Sequence, residues 1–295
     1  MIAIAALKAC VGDNAVCFPW SDDPSCPGTF EDIFSPDPFL VAALGPPPDA
    51  RRLLTHGWEP LTIYSQLNES LKLNLSLEKF SRRFVAQLRG FTFKDDILSA
   101  VQGWPNSADG QVLGVHIRRT DRAAHHRDQF RGFLMGKQGL NGELPLYLSA
   151  MYGLLPAGIV RDYENGRLVA ALRRTKKTCG KKYAVFSDDE AEAIIFEKTA
   201  RRNGFHLVSQ PAAAKAPPQR EQGDRRLRKS TIKRTLVDLL CLSQCSAIAQ
   251  SNRASTFSAV AAIIGAKPIV TPEPRYPFWR AIREATGRAP NDPSF

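Results

Sequence analysis

From residue 112 onward, short apolar runs alternate with longer amphipathic segments. The runs VLGVHI (112–117) and YAVFS (183–187) have the length and composition of buried parallel strands. Further strands are predicted at 205–209, 246–250 and 267–271, and helices at 143–155, 188–204, 230–245 (with Ser230 as its N-cap) and 255–265. This alternation predicts an α/β fold whose C-terminal part is a Rossmann-like, doubly wound parallel sheet.

The first hundred residues are organised differently. A short strand is predicted at 15–20, and a stretch rich in Pro, Asp and Gly follows it up to about residue 50. A helix is predicted at 76–89 and a further helical segment at 93–101. The apolar face of the first of these helices comprises Leu77, Phe80, Phe84, Val85 and Leu88. The turn-forming sequence GWPNSADGQ (103–111) predicts a boundary between an N-terminal domain, 1–108, and a C-terminal domain, 109–295.

The chain is basic, with a formal net charge of +11, which predicts affinity for anions such as nucleic acid, acidic lipid or phosphorylated metabolites. Much of the excess lies in RRTKKTCGKK (173–182) and QREQGDRRLRKSTIKR (219–234), which we interpret as solvated loops. Neither run contains an aromatic residue for base stacking, so nucleic acid is not the expected partner.

Neither the cysteines nor the search for targeting segments in the sequence identifies the cellular compartment of the protein. No CxxC pair is present, so a zinc ribbon is not expected, and Cys241 and Cys245 are predicted core residues of a helix. Cys17 and Cys26 flank a loop and are suited to a disulfide in an oxidising compartment. The chain has no apolar run long enough to span a bilayer, and its start lacks the features of a signal peptide.

Polar clusters follow three of the predicted strands. Arg118, Arg119, Thr120 and Asp121 follow the first, and Ser187, Asp188 and Asp189 follow the second. Ser251, Asn252, Arg253, Ser255 and Thr256 follow the strand at 246–250. Ligands of open α/β sheets bind beyond the carboxyl ends of the strands, where these clusters are expected to meet.

Each cluster suits a different part of a nucleotide. Paired arginines match phosphate oxygens, and hydroxyls at a helix N-terminus favour an anion. A carboxylate accepts hydrogen bonds from guanine or from a ribose hydroxyl. The alternatives are a local Arg118–Asp121 ion pair and simple helix caps at Asp188, Asp189 and Ser255. Neither a Walker loop nor GxGxxG is present. Together the clusters predict a basic pocket for a nucleoside diphosphate.

The residues GVHIRRTDR resemble the first motif of the GDP-fucose-dependent fucosyltransferase superfamily, in the form His-x-Arg-Arg-Thr-Asp of its α1,6 branch. The superfamily also contains nodulation-type and protein O-fucosyltransferases. FSDD (186–189) is similar to the second motif, and LVDLLCLSQCSAIAQSNRASTFSAVA (236–261) to the third. The resemblance covers roughly residues 112–271, with the motifs in the family's order.

The resemblance implies a GT-B-like fold and inverting, metal-independent transfer of fucose from GDP-fucose to a glycan or a protein hydroxyl. It implies that Arg118 holds the departing β-phosphate, that His116 lies against the nucleotide, and that Asp188 or Asp189 reads guanine or ribose. Arg119, Asp121 and Asp238 are implied as supporting donor-binding residues. Ser255, Thr256 and Phe257 are implied as the cradle for phosphate and base. No metal or other cofactor is expected; the partners are GDP-fucose and a glycan or glycoprotein acceptor.

Two departures from the family pattern bear on activity. Family members begin with a Gly-rich strand–loop–helix, whereas MIAIAALKAC resembles the end of that helix, so we expect the N-terminal α/β domain to be truncated and to lack the first loop. Some members carry a glutamate eight residues after the first motif arginine, where this chain has His126. We take His126 as the candidate general base, with His125 and Asp128 as neighbouring candidates. The alternative is that these histidines are solvent-exposed residues of a mobile loop.

Three hypotheses remain open. The first is a fucosyltransferase or related GDP-sugar transferase. The second is a catalytically inactive relative that binds a nucleotide or a glycan, and the third is a basic nucleic-acid-binding protein. The acceptor is not predicted, and only the family resemblance selects fucose over mannose.

Overall fold

The computed structural model describes ten stretches of the chain, and every structural statement below concerns them. They are residues 1–12, 16–19, 30–35, 40–43, 60–105, 111–117, 157–187, 189–211, 229–251 and 255–270. Backbone but not side-chain surroundings are described for residues 2, 16–19, 40–43, 157–164 and 229–231. The predicted helix at 143–155 lies outside the described residues.

The described chain forms two compact units. The first comprises residues 1–110, 209–245 and 256–268, and the second comprises 111–208, 246–255 and 269–295. The first break falls beside the boundary predicted after residue 108, while two later segments that had been assigned to the C-terminal domain cluster with the N-terminal residues. The predicted division into 1–108 and 109–295 stays a prediction.

The first unit is mainly helical. Its elements are α1 (Ile2–Val11), β1 (Val16–Pro19), β2 (Leu40–Ala43), α2 (Pro60–Ser70), α3 (Leu77–Arg89), α4 (Asp95–Val101), α7 (Lys229–Gln244) and α8 (Thr256–Gly265). Strands β1 and β2 pair in parallel. Helices α1, α2 and α3 share an apolar core around Ile63, Leu67 and Phe80.

Local sequence determines the limits of α3. The Ser76 hydroxyl accepts a hydrogen bond from the Lys79 amide at 3.2 Å, and Arg89 occupies the last turn. Phe80 and Leu88 are buried as predicted. Leu77 was wrongly placed on the buried face, because it is 51% exposed. Helical side chains lean toward the N-terminus, so that of the first helical residue projects beyond the helix.

Helices α7 and α8 approach each other closely. An added Cβ on Gly265 would lie 1.9 Å from the carbonyl oxygen of Ser243, so only glycine fits there. Cys241 and Cys245 are buried free thiols, which confirms their prediction as core residues. Ser230 was predicted to cap α7 but lies inside the helix, which begins at Lys229.

The second unit contains a five-stranded sheet. Its elements are β3 (Leu113–Ile117), α5 (Ala157–Cys179), β4 (Lys182–Ser187), α6 (Glu190–Arg202), β5 (His206–Leu207), β6 (Ala247–Gln250) and β7 (Ile269–Val270). The strand order is β5-β4-β3-β6-β7, and every pair is parallel. The predicted α/β class with a parallel sheet is confirmed.

Alternation along the strands gives the sheet two different faces. Leu113, Val115 and Ile117 of β3 belong to an apolar core with residues of α5 and α6, notably Leu168, Leu172 and Phe196. Gly114 and His116 point to the opposite face. This face carries the polar residues described next.

The basic run 173–182 was predicted as a solvated loop, which is wrong. Residues 173–179 are the last two turns of α5, and a tight turn at Gly180 and Lys181 leads directly into β4. Leu168, Leu172 and Cys179 bury the inner face of α5, while Arg173, Lys176 and Lys177 lie exposed on its outer face.

Candidate functional site

The strand order reverses at β3. From β3 the chain proceeds outward to β4 and β5, and then returns to the other side of β3 for β6 and β7. The connecting segments diverge at such a switch point, which opens a crevice at the carboxyl ends of the two adjacent strands. Here those strands are β3 and β6, so Ile117 and Gln250 mark the position of the crevice.

Two buried polar side chains lie at this end of the sheet. His116 is 6% exposed and Gln250 is 4% exposed, and they are direct cross-strand neighbours in the register of β3 and β6. The central strands of a parallel sheet are usually apolar on both faces. A histidine and a glutamine side by side at their carboxyl ends therefore indicate a functional position.

His116 is held from both sides. The Oγ atom of Ser255 lies 3.1 Å from its Nδ1 atom, and both side chains are buried. The backbone amide of Ser251 donates to the carbonyl oxygen of His116 at 2.9 Å, which extends the pairing of β3 and β6 by one residue. Ser251 and Ser255 of the third sequence cluster thus meet His116 at the crevice, while the first cluster, residues 118–121, lies outside the described residues and its convergence on this edge stays a prediction.

The second cluster has a local structural role. The Ser187 hydroxyl accepts from the Asp189 amide at 3.1 Å and donates to the Asp189 carbonyl at 2.9 Å. Asp189 caps α6, since its Oδ1 atom accepts from the amides of Ala191 at 2.9 Å and Glu192 at 3.2 Å. The alternative predicted for Asp189, a helix cap, is therefore present. The predicted role of Asp189 in binding a sugar-nucleotide donor stays a prediction.

The two helices that begin near these clusters differ in charge. Helix α6 starts with the carboxylates of Glu190 and Glu192 in its first turn, whereas the first turn of α8, which directly follows Ser255, contains none. An anion is repelled by the first arrangement and attracted by the second, where the helix dipole is not neutralised.

Thr256 and Phe257 open helix α8. Thr256 is exposed and Phe257 is half-buried. Both belong to the first unit, whereas Ser255, to which Thr256 is bonded, belongs to the second. Their predicted role in cradling phosphate and base stays a prediction.

Asp238 lies on α7 in the first unit. Its Oδ1 atom is buried and makes no hydrogen bond to the residues that the structure describes. Burial raises the pKa of this carboxyl to about 7, against the opposing effect of the Arg234 guanidinium. The same carboxylate contributes, after burial itself, to raising the pKa of the Cys241 thiol to about 12. Asp238 is thus poised to change protonation near neutral pH.

Five predicted site residues lie outside the described residues. They are Arg118, Arg119, Asp121, His126 and Asp188. Arg118 directly follows Ile117, the last residue of β3, in the sequence. Their predicted roles stay predictions.

Sequence reasoning did not single out Gln250. The signal was present, because it is the one polar residue in the apolar strand AIAQ and it stands at the strand's carboxyl end. Its significance depends on its pairing with His116, which requires the strand order.

Across the described stretches, no group of three or more His, Cys, Asp or Glu side chains is arranged to hold a metal ion. Nor is any helix within them long and apolar enough to cross a membrane.

Comparison with known proteins gives matches among solved structures only. No protein-family model matches the sequence, and no curated protein matches it either. Among solved structures, the chain is similar to POFUT1 in complex with GDP-fucose, with a TM-score of 0.39 and 11% identity over 65% of this chain and 50% of that one. It is similar to the apo form of POFUT1, with a TM-score of 0.38 and 11% identity over 64% of this chain and 49% of that one.

A third similar structure is the NodZ α1,6-fucosyltransferase soaked with GDP-fucose, with a TM-score of 0.44 and 10% identity over 88% of this chain and 86% of that one. The chain spans about half the length of the POFUT1 chains that it matches. These three structures are of fucosyltransferases, the group that the sequence motifs resemble.

Proposed function

We propose that the protein is a glycosyltransferase that binds GDP-fucose at the carboxyl edge of its five-stranded sheet. The observation that carries the proposal is the buried contact between His116 and Ser255, with 3.1 Å between Nδ1 and Oγ. It joins two motifs of the fucosyltransferase superfamily at the switch point of a parallel sheet, where nucleotides bind in such folds.

Charge supports a diphosphate on the β3–β6 side. The segment that leaves β3 begins with Arg118 and Arg119, and the helix that follows Ser255 has no acidic residue in its first turn. Guanidinium groups and a helix N-terminus both favour phosphate oxygens. We place the diphosphate there, and guanine or ribose toward Asp188 and Asp189.

The proposed reaction is inverting transfer. The acceptor oxygen attacks the anomeric carbon of fucose, the bond from that carbon to the β-phosphate oxygen breaks, and GDP leaves with the bonding electrons. Negative charge grows on GDP during this step, and we assign its stabilisation to Arg118. The acceptor proton passes to a general base, for which we propose His126. With a guanidinium in this role, the reaction requires no metal ion.

The acceptor is a glycan or a protein hydroxyl in this proposal. The alternative, already raised by the sequence, is a catalytically inactive relative that binds a nucleotide or a glycan at this site without turnover.

Calorimetric titration tests the donor site. Wild-type protein should bind GDP and GDP-fucose saturably, and GDP-mannose more weakly. Arg118→Ala should weaken GDP-fucose binding and, because such a contact contributes on the order of 3 kcal/mol to the transition state, slow turnover about 100-fold. Arg82→Ala, a change of the same type at an exposed arginine of α3, serves as the control.

Turnover separates the two alternatives. Hydrolysis of GDP-fucose to GDP and free fucose, unchanged by a chelator, supports a metal-independent transferase. Binding without hydrolysis or transfer to any acceptor supports the inactive relative. Failure of every guanine nucleotide to bind overturns the proposal.

A further inference from the structure

A second, separate surface lies at the opposite end of the sheet. In a parallel α/β unit the helices run antiparallel to the strands, so helix C-termini lie beside strand starts. The turn after α5 leads into Lys182 of β4, whose partner in β5 is His206. The backbone amide of His206 donates to the carbonyl of Lys181 at 2.8 Å, and Arg173 Nη2 donates to Asn203 Oδ1 at 2.6 Å. The ends of α5 and α6 and the starts of β4 and β5 therefore form one edge.

This edge is strongly basic. We call basic edge the six exposed side chains Arg173, Lys176, Lys177, Lys181, Arg201 and Arg202. Residues 165–187 contain no Asp or Glu, and the acidic residues of the first turn of α6 lie at its other end. Burial raises the pKa of the Glu197 carboxyl of α6. The nearby Arg201 guanidinium lowers this pKa, but its effect is smaller than that of burial.

Helix stabilisation does not account for the whole set. Basic side chains in a last turn interact favourably with the helix dipole, which explains one or two residues in each helix. Lys181 lies outside both helices, in the turn before β4, and is exposed like the others. Stabilisation of the two helix ends therefore explains only part of the positive charge at this edge.

We propose that the basic edge docks the protein on a membrane surface that contains anionic phospholipids. Clusters of four to eight Lys and Arg bind such surfaces, and each residue near the headgroups changes the partition coefficient by about fivefold. Lysine ammonium groups on long stems reach phosphate headgroups without requiring a shaped pocket.

Two observations favour a lipid surface over nucleic acid. The aromatic side chains that the structure describes on these elements are buried (Tyr183, Phe186, Phe196 and Phe205), so none of them offers a base a stacking platform. The basic-edge side chains of α5 and α6 lie within the last two turns of each helix, so neither helix presents a long basic face to a major groove. Binding to a plane of lipid headgroups requires only cations that project from one end of the second unit.

Docking at this edge is compatible with the proposed donor site. Strand β4 has 6 residues, so the basic edge and the carboxyl edge are separated by roughly 20 Å. That distance exceeds the Debye length of about 8 Å at physiological salt. The membrane thus neither covers the crevice at His116 nor competes with it for charge.

Vesicle sedimentation tests the proposal on the full chain. The protein should sediment with vesicles of phosphatidylcholine mixed with phosphatidylserine but not with phosphatidylcholine alone, and high salt should release it. The triple variant Lys176→Gln, Lys177→Gln, Lys181→Gln should lose about 100-fold in partitioning. The control variant Lys72→Gln, Lys79→Gln, Arg82→Gln removes the same charge from exposed residues of the first unit and should partition within a few-fold of wild type.

Three outcomes would overturn the proposal. One is equal loss in both triple variants, which would mean that net charge alone drives binding. Another is retention of vesicle binding when the basic edge is neutralised. The third is absence of vesicle binding together with basic-edge-dependent binding of duplex DNA or heparin, which would assign the edge to another polyanion. Both variants should keep wild-type thermal unfolding and GDP binding, so failure here is distinguishable from failure of the proposed donor site.

Discussion

The hydroxyl of Ser255 lies 3.1 Å from Nδ1 of His116, across 139 positions of sequence, and both side chains are buried. His116 is the last residue of β3 whose side chain points to the polar face of the sheet, and Ser255 directly precedes helix α8. The contact fixes the imidazole at the carboxyl edge, two residues before Arg118 in the sequence. A ligand held by this edge would therefore be sensitive to both residues.

Ser255→Ala should lower both stability and GDP affinity. Removing a hydrogen bond of a buried polar group costs about 1–3 kcal/mol, and the freed imidazole ring no longer keeps its orientation. Urea unfolding and GDP titration measure the two effects. Ser243→Ala is the matched control, because this equally buried serine donates to the Leu240 carbonyl at 2.7 Å within α7. An equal loss of GDP affinity in both variants would refute the link between the Ser255 contact and the site.

Two substitutions of Asp189 can separate its capping of α6 from its proposed contact with GDP. Asp189→Ala removes the cap of α6 and should lower the free energy of unfolding by about 1 kcal/mol, whereas Asp189→Asn keeps an oxygen for the same amides. If the carboxylate also contacts GDP, the asparagine variant should unfold like wild type yet bind GDP more weakly. Unchanged GDP affinity in this variant would restrict Asp189 to capping.

Asp238 should make stability fall as pH rises. Burial raises the pKa of its carboxyl from 3.8 to about 7, so between these values the folded state binds more protons than the unfolded state. The free energy of unfolding then decreases as pH rises through this window. Asp238→Asn removes the titration and should stabilise the protein above neutral pH by on the order of 2 kcal/mol, with less gain at about pH 5.

Urea unfolding of wild type and variant at several pH values measures this difference. Asp96→Asn is the control: a hydrogen bond from Lys233 is the main cause that lowers the pKa of Asp96, so above about pH 5 this group is ionised in both states. Its replacement should shift the stability curve by a constant small amount. Parallel wild-type and Asp238→Asn curves would contradict the assignment.

Two glycines should respond to alanine in opposite directions. At Gly265 the added Cβ meets the Ser243 carbonyl at 1.9 Å, so α7 and α8 must separate and the protein should lose more than about 2 kcal/mol. Gly166 lies within α5 with nothing within 4 Å of the added Cβ, so alanine there should stabilise by about 0.5–1 kcal/mol. Thermal unfolding decides both; destabilisation by Gly166→Ala would contradict a helix at this position.

The alternation of strands and helices was predictable because apolar runs and caps are local signals. The parallel sheet and the limits of α3 followed from them, within one or two residues. Helix α5 was missed, since the charge of 173–182 dominated its interpretation. Its helical signal was nevertheless present, because Leu168, Leu172, Thr175 and Cys179 recur at the helical period and are all buried.

The site was predictable only in part. The sequence indicated His116 and Ser255 separately, Ser255 through the polar residues after an apolar strand and His116 through the resemblance of its motif to the fucosyltransferases. Their contact depends on the strand order that places β6 beside β3, which long-range pairing determines and no local pattern encodes. The same order gives Gln250 its place beside His116.

Hydrogen–deuterium exchange with and without GDP tests the location of the proposed nucleotide site most directly. The account predicts that GDP slows exchange in residues 113–119, 247–251 and 255–258, and that Arg118→Ala abolishes this protection. The peptides of the basic edge, 173–182 and 198–203, should exchange alike with and without GDP. Protection confined to the basic edge, or saturable GDP binding with no protection at the ends of β3 and β6, would contradict the account.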